Sequence, residues 1–335
     1  VLKFLKKWRA ALVGVGISLA VVILFAAQIE LDDLTSALGA ARLGWIVPSA
    51  LAIVTGLAAR AVRWRGLLGV PLPLVRAFHI LNVAYFANAV LPLRLGELAR
   101  AYLASRGTPA VAPLHALSSV IVERLLDLLA VLILLGLALA FAPLPDALRA
   151  SALLFVPVTA VGFGVLIGLA ANRAWTLRLT EAIASRLRLT RIDMVKLVGQ
   201  ILDGFAPLIQ PRALFAAVLW TGIAWTFSVA SGWLLMFAFY PAGDIGATLL
   251  FTAAASFAVA VPAVPGNLGT YEASVWVGLA AMGYGEPLAT ATAFAITIHG
   301  LNIVINALLG GIGLFAEGVS LGQLTRGVRA LHTTP

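Results

Sequence analysis

Six stretches of this sequence are predominantly apolar over 16 residues or more: 11–27, 44–59, 115–142, 151–171, 213–240 and 288–316. A bilayer core takes about 20 residues of helix to cross. Within lipid, only helices and closed barrels satisfy their own backbone polar groups. The runs are continuous and lack the in–out alternation of a barrel strand. The expected fold is therefore all-α: a polytopic integral membrane bundle of about six full spans, forming a single membrane domain over residues 1–335. Composition agrees, with 61% hydrophobic and 11% charged residues, because a soluble surface this apolar would aggregate. The chain has no cysteine, which excludes disulfides, thiol chemistry and Cys-ligated metals.

Positive charges orient the spans. Lys3, Lys6, Lys7 and Arg9 precede the first run, which reads as an uncleaved first helix starting in the cytoplasm. The next loop carries Glu30, Asp32 and Asp33, and the second run ends in Arg60, Arg63 and Arg65, at the inner face. APLPD after the third run and PAGD after the fifth mark outer loops, while Arg326 and Arg329 follow the last run. Both termini are thus expected in the cytoplasm, with the protein in the cell inner membrane. Residues 173–212 carry Arg173, Arg178, Arg186, Arg188, Arg191 and Lys196. They read as a basic amphipathic segment on the inner surface, where basic side chains meet anionic lipid. Much of the net charge of +9 flanks spans in this way, which speaks for membrane and against nucleic acid.

This scheme leaves both ends of residues 74–112 on the inner side. Their second part, with Arg100, Arg106 and Pro109, is a poor span. The region is expected to be a re-entrant hairpin that breaks at Pro92 and turns at Gly96. The motif PLRLG at 92–96 has an echo in PGNLG at 265–269, and the carboxylates Glu97 and Glu272 follow the two copies. Residues 246–284, with breaks at Pro265, Gly266 and Gly269, are expected to form a second hairpin entering from the outer side. Two oppositely oriented hairpins imply an inverted repeat with a site near the midplane.

Glu123, Arg124 and Asp127 lie inside the third apolar run. An unpaired charge at the bilayer centre costs about 2.5–3.5 kcal/mol, so all three are expected to face protein or water, with Arg124 bridging to Asp127 along the helix. The cluster reads either as a structural ion network or as a site for an ionic headgroup or coupling proton. Arg94 and Arg100 at the first break have the forked, permanent charge that binds phosphate; the alternative is pairing with Glu97, Glu123 or Asp127. Asn88 is expected to satisfy backbone freed by the break. Glu272 reads as a helix-terminus carboxylate or a coupling group. His299, Asn302 and Asn306 share one face of the last span and read as a polar cavity wall. Candidate substrate-binding residues are Arg94, Arg100, Arg124, Asn88, His299 and Asn302, and candidate positioning or coupling carboxylates are Glu97, Glu123, Asp127 and Glu272. Among Trp220, Trp225 and Trp233, interfacial anchoring explains some, and no chemistry is assigned to them. There is no Walker A, HExxH or GxSxG pattern, so no catalytic residue, metal or cofactor is expected.

The stretch holding Asn88, Pro92, Arg94, Gly96, Glu97 and Arg100 resembles a signature of the lysylphosphatidylglycerol synthase transmembrane, flippase-like domain family. So does the ER..D pattern at Glu123, Arg124 and Asp127, and the PG.LG..E pattern at Pro265, Gly266, Gly269 and Glu272. The resemblance covers nearly the whole chain and marks a stand-alone member without the aminoacyl transferase domain found in multiple peptide resistance factors. It implies lipid translocation, with a phospholipid or a polyprenyl- or hopanoid-type lipid as partner. The expected function is a translocase moving a phosphate-bearing lipid between leaflets through a polar midplane cavity, without ATP. Two other readings stay open: a membrane enzyme acting on a lipid phosphate, and a scaffold docking a separate lipid-modifying enzyme.

Overall fold

Prolines and glycines cut the chain into a repeated order of long and short helices. The computed structural model describes residues 30–91, 95–107, 110–141, 157, 161–162, 164–165, 167–186, 194–196, 198–199, 202, 209–260 and 265–331. Helix α1 (Leu31–Gly39) and a 3-10 turn (Leu43–Trp45) lead into α2 (Ile46–Leu68). Then come α3 (Leu74–Val90), α4 (Gly96–Ser105) and α5 (Pro113–Phe141). After α6 (Arg173–Arg186) the order recurs in α7 (Pro211–Phe239), α8 (Ile245–Ala260), α9 (Thr270–Ala280) and α10 (Leu288–Ala316), and α11 (Leu321–Leu331) closes the described chain. No strand occurs among the described residues. The first expected run, 11–27, lies outside them, as does most of 151–171.

The helix ends follow local chemistry. Gly69 at φ 62 gives α2 a left-handed C-terminal cap. Pro211 opens α7, where a missing N–H costs nothing. Stretches Leu43–Leu68, Pro211–Phe239 and Leu288–Ala316 are long and apolar enough to cross a membrane, and α5 is also 29 residues long. Val304, Leu308, Ile312 and Phe315 project from α10 with 54–89% of their surface exposed, a face that suits lipid.

The second span is longer than its apolar run suggested. It continues as helix to Leu68, so Arg60 and Arg63, expected at the inner surface, lie within the bundle instead. Segment 173–212 is helical from Arg173 to Arg186. Trp175, Leu179 and Ile183 form an exposed stripe at four-residue spacing on this helix, beside Arg178 and Arg186.

The packing repeats as faithfully as the order. Helix α2 packs on α7. In the first half, α3 packs on α4 and α4 on α5; in the second, α8 packs on α9 and α9 on α10. Across the halves, α3 packs on α10 and α8 on α5. Among the described residues, each of these contacts between the long and short helices of one half has its counterpart in the other, as a two-fold relation requires. The α3–α10 crossing is close because α10 offers small residues there: a Cβ at Gly310 would lie 2.3 Å from Phe86 Cβ, and one at Gly313 2.7 Å from the His79 carbonyl.

Both breaks return the chain against itself, by different means. Gly96 is not a torsional hinge. A Cβ there would lie 2.1 Å from the Ala84 carbonyl and 2.5 Å from Asn88 Oδ1, so glycine is needed for the close approach of α4 to α3. Its N–H donates to Asn88 Oδ1 at 2.8 Å. The second break does use left-handed backbone: Gly266 has φ 70, Asn267 φ 52 and Gly269 φ 82. The 3-10 turn Pro265–Asn267 reaches across to pack on α3, so the second break meets the first hairpin. Pro92 and Arg94 lie outside the described residues.

Candidate functional site

Charges inside an apolar bundle persist only when paired, and here the pairing runs through three helices. Arg63, fully enclosed, donates to both oxygens of Asp127 at 2.7 and 3.2 Å and to Thr221 Oγ1 at 3.1 Å. It lies 3.3 Å from Glu123. Glu123 in turn accepts from Arg100 at 2.5 and 3.3 Å. The Arg100 guanidinium sits 4.3 Å above the Trp64 ring, and Trp64 Nε1 donates to Ser119 Oγ at 3.1 Å. The network ties α4 and α2 to α5.

Arg60 forms its outer end. It lies 3.9 Å from Asp127, donates to Ser228 Oγ at 3.1 Å and stands 5.1 Å over the Trp225 ring. Trp225 Nε1 donates to Asp127 Oδ1 at 3.0 Å. Trp225 is therefore not among the tryptophans that anchoring explains; it is buried at the network. Three guanidiniums, Arg60, Arg63 and Arg100, share two carboxylates, Glu123 and Asp127. Among the described residues the network carries one surplus positive charge.

Arg124 does not bridge to Asp127. Its guanidinium meets Glu97 at 3.2 Å, because Asp127 points to α2 and α7. Glu97 also faces Asn88 Nδ2 at 3.4 Å, so Asn88 and Glu97 both serve the first break. In the second half, Glu272 Oε2 accepts the Gly269 N–H at 2.7 Å, and its Oε1 lies 2.6 Å from His299 Nδ1. The Tyr271 ring stacks on His299 at 4.2 Å between centroids.

A cavity of about 500 Å³ opens between the halves. Its polar wall includes Arg60, Arg124, Asp127, Ser228, Asn302 and Asn306, and Tyr85, Trp225 and Tyr271 add aromatic surface. Tyr85 Oη and Asn306 Oδ1 are buried there without a hydrogen-bond partner among the described residues, and buried polar atoms are ordinarily satisfied. Arg124, Asp127, Asn302 and Asn306 of the sequence candidates reach the wall. Arg100 and Glu123 lie in the network beneath it, while His299 and Glu272 pair beyond Tyr271. Arg60, Arg63, Tyr85 and Trp225 went unrecognised as site residues. The signal for the arginines was present: WRGLL at 64–68 carries the helix on to Gly69, placing Arg60 and Arg63 one turn apart inside it.

A helical bundle with an enclosed charge network and a polar cavity between two repeated halves is a multi-pass membrane protein. Residues 11–310 match the family model of the lysylphosphatidylglycerol synthase TM region. The chain belongs to that family. A search of curated proteins finds no match.

Proposed function

We propose that the protein is a lipid translocase, drawing an anionic headgroup through the cavity while the tails stay in lipid. The observation that carries this reading is the surplus positive charge at the cavity wall. In a poorly solvated site such a charge attracts an anion more strongly than it would in water, and forked guanidiniums suit phosphate. Arg60 and Arg124 are the residues assigned to it; Arg100, stacked on Trp64 and held by Glu123, positions the wall from beneath. Tyr85 and Asn306 supply free polar atoms for the rest of a headgroup. Glu123 and Asp127 are each occupied by enclosed arginine, and Asp127 also by Trp225 Nε1, which leaves neither positioned as the free acid or base of a lipid-phosphate enzyme. The proposed setting is the inner membrane, with cytoplasmic termini.

The test is purified protein in phosphatidylcholine vesicles carrying a trace of headgroup-labelled phosphatidylglycerol. A membrane-impermeant reductant is expected to bleach label beyond the outer-leaflet share. Bleaching that stops at that share, with folded protein present, overturns the proposal. Chemically altered lipid would select the enzyme reading. Bleaching that appears only on addition of a co-purified partner would select the scaffold.

A further inference from the structure

The two halves carry equivalent clamps that differ in one side chain. In the first, Glu97 in the opening turn of α4 meets Arg124 of α5 at 3.2 Å. In the second, Glu272 in the opening turn of α9 meets His299 of α10 at 2.6 Å. Arg124 and His299 hold the same place, each eleven residues beyond the first residue of a 29-residue helix. Asp127 and Asn302, three residues further, correspond in the same way. Each clamp joins the second arm of a hairpin to the span that follows it.

Arginine stays charged at any relevant pH, whereas histidine changes charge between about pH 5 and 8. The surroundings differ too. The first clamp is open, with side-chain exposure of 44% for Arg124 and 22% for Glu97. The second is closed, at 7% for His299 and 17% for Glu272. In an inverted repeat, alternating access exchanges the environments of equivalent elements, so the closed clamp of one state becomes the open clamp of the other.

We propose that His299 and Glu272 form the proton-coupling site of transport. This rests on the translocase reading and supplies its energy source. With Nδ1 donating to Glu272, the exchanging proton sits on Nε2. Protonated, the pair is an imidazolium–carboxylate bridge that locks α9 to α10. When the proton leaves to the opposite aqueous phase, the carboxylate keeps a hydrogen bond but loses its counter-charge, and the second hairpin is freed. One proton enters from one side and leaves to the other, and no bond other than N–H changes.

Other groups near α10 do not replace this pair. Helix α9 faces His299 with Glu272 and Tyr271. Helices α3 and α2 bring Tyr85 and Arg60 to the cavity on the other side of Tyr271, and α5 brings Arg124 and Asp127. On the same helices, Arg76 is held by Glu317, Arg63 by Asp127, and Arg65 by the Leu72 carbonyl. His79 of α3 lies far along α10, its carbonyl against Gly313. Helix α1 carries Asp32 and Asp33, both exposed, and α7 carries Arg212 in its first turn.

The experiment has two readouts. In vesicles with labelled phosphatidylglycerol, an imposed pH gradient is expected to speed transbilayer movement several-fold, and His299→Gln and His299→Arg are expected to abolish that ratio. Separately, the cysteine-free chain takes a single reporter, Ser256→Cys, on the cavity wall. The ratio of its labelling by an impermeant thiol reagent from the two sides, each rate normalised to free cysteine at the same pH because the thiolate is the reacting species, is expected to differ between acid and alkaline buffer, and to lose that difference in His299→Arg. Movement indifferent to the gradient, or a normalised two-sided labelling ratio indifferent to pH, overturns the coupling while leaving translocation intact. Absent movement with a His299-dependent labelling shift overturns the translocase reading and leaves the proton switch standing.

Discussion

Arginine pairing decides which single residues hold the protein together and which are free to act. Glu123 and Asp127 neutralise the enclosed guanidiniums of Arg63 and Arg100, whereas Glu97 meets an Arg124 that remains 44% exposed. Removing one partner of an enclosed pair strands the other charge, at about 3–5 kcal/mol; an exposed pair contributes about 0–1 kcal/mol. Asp127→Asn is therefore expected to lower the unfolding temperature in detergent sharply, and Glu97→Gln to leave it nearly unchanged. Equal shifts for the two variants would show that the network is not the structural one. Arg60 sits between these cases, at 3.9 Å from Asp127 and on the cavity wall. Arg60→Gln is expected to keep the fold and slow labelled phosphatidylglycerol about tenfold, as the loss of one charge-assisted contact of roughly 1.5 kcal/mol requires. An unchanged rate relative to labelled phosphatidylcholine would remove Arg60 from headgroup recognition.

At the scale of the element, each hairpin depends on what its break permits. The first needs the absence of a side chain at Gly96, since the Ala84 carbonyl occupies the space where a Cβ would be. Gly96→Ala is expected to push α4 off α3, disturb the Asn88 and Glu97 contacts, and cost about 1–3 kcal/mol, read as a lower unfolding temperature and a changed response of Arg124 to substitution. The second break needs left-handed backbone, for which a Cβ costs about 1–2 kcal/mol per residue. Gly269→Ala is thus also expected to destabilise, but through strain rather than collision. Because the nearest collision is with the Ala84 backbone carbonyl, shortening Asn88 is expected to rescue neither Gly96→Ala nor Gly269→Ala.

The whole molecule is two interlocked halves, each completing the other's hairpin. Helix α3 lies on α10 and α8 on α5, so neither half buries its short helices alone. The 3-10 turn of the second break rests on α3, with Gly266 facing the Ala89 carbonyl. Cross-linking Ala89→Cys to Gly266→Cys in the otherwise cysteine-free chain is expected to arrest lipid movement, with recovery on reduction. Undiminished movement by the cross-linked protein would show that the two breaks do not part during the cycle.

Much of this was legible in the chain. Apolar run length and the physics of backbone burial require a helical membrane bundle. The echo of PLRLG in PGNLG marked the two breaks, and the cost of charge in lipid singled out Glu123, Arg124 and Asp127. What the sequence left open was the choice of partner. Arg124 can reach Asp127 along its own helix and Arg100 can reach several carboxylates, and spacing does not rank such options. The fold ranked them by bringing Arg63 and Trp225 from distant helices onto Asp127, turning Arg124 to Glu97 and leaving Arg60 as the surplus charge at the cavity. Length, hydropathy and breaks are local properties and can be read along one strand of text. Charge compensation depends on which helices cross, and only the tertiary structure decides that.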